Sequence, residues 1–66
     1  MKQIKDTFSL SSIILDKFNE MNITTVEDVC KLNRPDLKEM GFKNKEINDI
    51  IIQLQLNGLS LNKKKH

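Results

Sequence analysis

A chain of 66 residues has room for one small domain, and a domain of about that size buries only about 60% of the surface its unfolded chain exposes. Little core is left over for the deep pocket of a cofactor-binding enzyme, so the expected function is non-catalytic binding through an outer surface. Eleven Lys and Arg stand against nine Asp and Glu, but Lys63, Lys64 and Lys65 carry the excess; without them eight cations face nine acids, not the basic stripe of a strong nucleic-acid binder.

Those three lysines and His66 read as a solvated basic tail over residues 62–66. The single cysteine, Cys30, has no internal disulfide partner and reads as a small buried hydrophobe, which fits a reducing, cytoplasmic setting. His66 and Cys30 are too few and too far apart for a metal site, and no nucleophile, base and orienting group fall together, so neither cofactor nor catalytic residue is expected. The longest aliphatic runs, Ile13 to Leu15 and Ile50 to Ile52, are too short for a membrane span or a signal-peptide core. Neither a membrane nor a small-molecule substrate is therefore expected among the partners.

Residues 1–7 read as a lead-in, with a short helix open to them because Ile4 and Phe8 lie one helical turn apart. From Ser11, an N-cap residue type, the apolar positions Ile14, Leu15, Phe18 and Met21 follow helical spacing. Asn22 then ends the helix, since Asn tolerates the left-handed conformation, and Ile23 is placed to pack back. Thr24 and Glu27 have capping-box spacing at the start of a second helix that turns Val26, Val29 and Cys30 inward. Asn33 and Asp36 repeat that spacing, with Pro35 in the first turn of a short third helix ending at Gly41. Asn44 is the expected cap of a fourth helix, whose stripe of Ile47, Ile50, Ile51 and Leu54 runs to Asn57 and Gly58. Leu59 and Leu61 are placed to fold back onto the core. Nothing alternates like a strand, so the fold class is all-α: a compact bundle of four to five short helices.

An approximate repeat at an offset of 19 residues matches Phe18-x-Glu20-Met21-Asn22-Ile23 to Leu37-x-Glu39-Met40-Gly41-Phe42. Each copy reads apolar, two positions, apolar, Gly or Asn, apolar, with Met21 and Met40 expected in the core. This resembles the helix-hairpin-helix motif, in which a tight turn exposes backbone amides at a helix start to a phosphate. Two copies resemble the tandem, sterile-alpha-motif-like form of that fold.

Over residues 8–61 the order of motifs also resembles the C-terminal domain of the bacterial RNA polymerase alpha subunit. The resemblance rests on Leu10-Ser11, Phe18, the run Asn22-Ile23-Thr24-Thr25-Val26-Glu27-Asp28-Val29, Ile47-x-x-Ile50-x-x-x-Leu54, and Asn57-Gly58-Leu59-Ser60-Leu61. It implies a module that binds upstream, A/T-rich DNA and transcription regulators. Lys17, Lys43, Asn44 and Lys45 are then the candidate nucleic-acid contacts, and Asn33, Arg34, Lys38 and Glu39 the candidate surface for RNA polymerase or a regulator. The chain departs from the family where Ile13 replaces an expected Arg and Asp16 an expected Asn, both of which weaken minor-groove contact. In the second hairpin Lys43 replaces a glycine and Glu46 a serine, which hinders close approach of the backbone to DNA. A different reading uses Asn33-x-x-Asp36-Leu37-x-x-Met40-Gly41-Phe42, which over residues 23–56 resembles a sterile-alpha-motif interaction domain that binds protein and not DNA.

Overall fold

The structure, a computed structural model, describes residues 2–62. They form five helices: α1 (Ile4–Thr7), α2 (Ser12–Glu20), α3 (Val26–Cys30), α4 (Arg34–Glu39) and α5 (Asn44–Leu56). The body measures 33 × 24 × 21 Å, and among the described residues there is no strand, only one isolated antiparallel bridge between Gln3 and Thr25. The basic tail expected over 62–66 lies outside the described residues except for Asn62.

Side-chain caps close the starts of α2, α3 and α4. The Ser11 hydroxyl accepts from the Ile14 N–H at 3.4 Å and opens α2 as expected. At α4 the capping box is complete: Asn33 Oδ1 accepts from the Asp36 N–H at 2.9 Å, and Asp36 Oδ2 accepts from the Asn33 N–H at 3.2 Å. Two starts lie one residue away from the positions the sequence favours. At α3 the cap is Thr25, whose hydroxyl accepts from the Asp28 N–H at 3.2 Å, and not Thr24 with Glu27. The cause is tertiary, because the Thr24 carbonyl accepts from the Ile4 N–H at 3.0 Å and the Lys2 carbonyl from the Val26 N–H at 2.9 Å. At α5 the N-cap is Lys43, with Asn44 already helical; the Glu46 carboxylate accepts from the Lys43 N–H at 2.9 Å, half of a capping box that a lysine side chain, having no acceptor, cannot complete.

Three helix ends share one geometry. Asn22 N–H donates to Asn19 O at 3.0 Å and Ile23 N–H to Phe18 O at 2.8 Å, which is a Schellman motif. Gly41 to Lys38 and Phe42 to Leu37 repeat it at 3.1 and 3.2 Å, and Gly58 to Gln55 and Leu59 to Leu54 at 3.0 and 2.8 Å. The residue with positive φ is in each case the one after the cap: Asn22 at 61°, Gly41 at 97° and Gly58 at 72°. The 19-residue repeat of the sequence is thus two of these three helix ends, and Leu54-Gln55-Leu56-Asn57-Gly58-Leu59 is the third.

The motif folds the residue after the turn back over the one three before the cap, and those earlier residues, Phe18, Leu37 and Leu54, are all fully buried. Around them pack Ile14, Val29, Ile47 and Ile50, joined by Phe42 and Val26. Ile4 and Phe8 are buried as well, so the segment read as a lead-in supplies part of the core. Among the described residues no polar side chain is buried. Met21 departs from its expected core position and is 49% exposed, because the fold-back contact runs between Phe18 and Ile23 and leaves the cap residue outside; Met40 is half-buried. Cys30 is half-buried, not fully enclosed as its apolar neighbours implied.

Candidate binding surfaces

The four candidate nucleic-acid residues meet at the α4–α5 turn. Lys43, Asn44 and Lys45 are contiguous and exposed at the start of α5. Lys17 reaches the same turn from the last turn of α2: its Nζ donates to the Gly41 carbonyl at 2.7 Å and lies 5.3 Å from the centroid of the Phe42 ring. That ring packs against Phe18 at a centroid distance of 5.1 Å and a tilt of 51°. Lys17 therefore supplies a cation to the carbonyl end of α4, where the helix dipole favours one.

The start of α5 is electrostatically mixed. Its first helical hydrogen bond is Ile47 N–H to Lys43 O at 2.9 Å, which leaves the amides of Asn44, Lys45 and Glu46 ahead of the ladder, with no side-chain cap on them. Two exposed lysines flank them, while the Glu46 carboxylate adds negative charge in the same first turn. Such an arrangement holds an anion weakly and repels it in part.

The second set of candidates lies along α4. Asn33 is half-buried and spends its side chain on the capping box. Arg34, Lys38 and Glu39 are exposed, with Arg34 at the mouth of a groove of about 270 Å³ that Ile51, Gln55, Ser60 and Leu61 also line. A second groove, of about 300 Å³, opens beside α3 between Lys2, Thr7, Thr25, Cys30 and Leu59. Burial, and secondarily the Glu27 carboxylate, pushes the Cys30 thiol above its ordinary range. No group of three or more His, Cys, Asp or Glu side chains that could hold a metal ion occurs among the described residues. Nor is any helix among them long and apolar enough to cross a membrane.

Reasoning from the sequence missed one surface. Ile52 and Leu56 are 49% and 74% exposed, one turn apart on the outer face of α5. The signal was present: when Ile47, Ile50 and Leu54 face the core, the third isoleucine of Ile50-Ile51-Ile52 has to point the other way. Ile13, on α2 one turn before Lys17, is also open, at 61%.

The chain has no match among protein families, curated proteins or solved structures.

Proposed function

We propose that this chain is a non-catalytic, transcription-associated binding module with the tandem helix-hairpin-helix arrangement of the polymerase alpha C-terminal domain. In this reading its α4–α5 turn contacts the DNA backbone weakly, and α4 faces RNA polymerase or a regulator. One observation carries it: Lys43, Asn44 and Lys45 stand exposed together beside uncapped amides at the start of α5, at a turn that Lys17 joins from a different helix. The weakness follows from the near balance of charge in the body, from Glu46 in the first turn of α5, and from Ile13 exposed where the family has an arginine.

A second reading, a sterile-alpha-motif-like domain that binds protein without DNA, is favoured by the exposed apolar pair Ile52 and Leu56 on the outer face of α5. Amide chemical shifts of the domain titrated with a short A/T-rich duplex separate the two. Shifts clustered over 41–47 that shrink as salt rises support the DNA contact. Silence at low and moderate salt removes it and leaves the protein-binding reading.

A further inference from the structure

We infer that Lys17 is a latch: its ammonium group fixes the α4–α5 turn against α2, and removing that charge loosens this turn while leaving the two equivalent turns intact.

The geometry is specific to one of three otherwise matched sites. All three Schellman turns have the same hydrogen-bond pattern, yet among the described residues only at Gly41 is the carbonyl of the positive-φ residue bonded to a side chain from another helix, Lys17 Nζ at 2.7 Å. The same turn has the φ farthest from the left-handed well, 97° against 61° and 72° at Asn22 and Gly58. A methyl group on Gly41 would lie 3.3 Å from Lys17 Nζ, a tight contact that places the ammonium directly against the turn. The Lys17 ammonium also lies over the face of Phe42, the fold-back residue of this turn, where an aromatic ring attracts a cation. One positive charge thus holds both the carbonyl and the ring of the turn, and it is a positioning group. Of the candidate cations, Lys43 and Lys45 remain to face a phosphate.

Native-state hydrogen exchange of the free domain tests the latch without any DNA. In Lys17→Met, which keeps an apolar stem on Phe42, exchange at the Gly41 and Phe42 amides is expected to rise about tenfold. The Asn22, Ile23, Gly58 and Leu59 amides are expected to hold within about twofold. Lys17→Arg, which retains a donor cation, is expected to restore most of the lost protection. Equal acceleration at all three turns, no acceleration at any, or an arginine as poor as methionine overturns the inference.

A second arm rests on the proposed DNA contact. If Lys17 only positions the turn, Lys17→Met weakens duplex binding without changing its salt dependence, whereas Lys43→Gln flattens the slope of log K against log salt by about 0.9. Flattening by Lys17→Met itself makes Lys17 a phosphate ligand and refutes the positioning role. A wild-type domain that binds no duplex refutes the DNA reading alone, and the exchange experiment still decides the latch.

Discussion

Adding one methyl group at two glycines separates backbone strain from contact. Gly58 has φ 72° with open space where a side chain would begin, whereas Gly41 has φ 97° with Lys17 Nζ 3.3 Å from the same position. A residue with a Cβ costs about 1–2 kcal/mol in the left-handed region, and loses about 0.4–1 kcal/mol of that through the lower entropy of the unfolded chain. Gly58→Ala is therefore expected to cost about 0.5–1 kcal/mol. At Gly41 the backbone lies some 40° past the centre of the well, and the methyl group crowds an ammonium whose hydrogen bond contributes about 0.5–1.5 kcal/mol and weakens it, for a total of about 2 kcal/mol. A domain of 66 residues has about 3–10 kcal/mol in all, and each kcal/mol moves its melting point by about 4–8 °C. Thermal unfolding followed by circular dichroism should show Gly41→Ala melting about 8–16 °C below the parent and Gly58→Ala roughly half as far below. If Gly41→Ala melts level with or above Gly58→Ala, both the strain at Gly41 and the role of Lys17 there are refuted.

Phe18 is 1% exposed and packs against the tilted ring of Phe42, so Phe18→Ala is expected to cost about 3–5 kcal/mol, enough to leave much of the chain unfolded at room temperature; urea titration with a midpoint near the parent's would contradict this. Asn33→Ala removes one half of a complete capping box and should cost about 1 kcal/mol, and a double-mutant cycle with Asp36→Ala should give less than the sum of the single losses. The Cys30 thiol ionises less readily folded than unfolded, so its contribution to stability is complete below the ordinary thiol range and is lost as the pH rises through the raised native value. Alkylation at mildly alkaline pH should thus be slower in the native protein than in urea, and Cys30→Ala should lose less stability than the parent on going to high pH; equal rates and parallel losses would count against it.

The parts of the fold that could be read from the sequence are those fixed within about six residues. Ser11, the Asn33–Asp36 box and the left-handed Asn22 all depend on neighbours a few positions away, and each takes the expected role. The cap of α3 moved from Thr24 to Thr25 because the Thr24 carbonyl belongs to Ile4, a partner far off in sequence that no local pattern reveals. The same limit applies to Lys17: its residue type and its place on α2 fit a DNA contact, while its engagement with Gly41 depends on how α2 meets a turn 24 residues away. The repeat was real as a pattern, but similar strings also arise wherever a helix closes with a Schellman turn, as Leu54 to Leu59 does. The outward face of Ile52 and Leu56 follows from the same helical period that turns Ile47, Ile50 and Leu54 inward.

Both ends of the described chain are stitched to the same short helix. Lys2 and Ile4 bond to Val26 and Thr24 at the start of α3, and Asn62 bonds to Leu32 and Lys31 just past its end. Force applied at Lys2 and at Asn62 would load those few hydrogen bonds first and meet α3 before it reached α5.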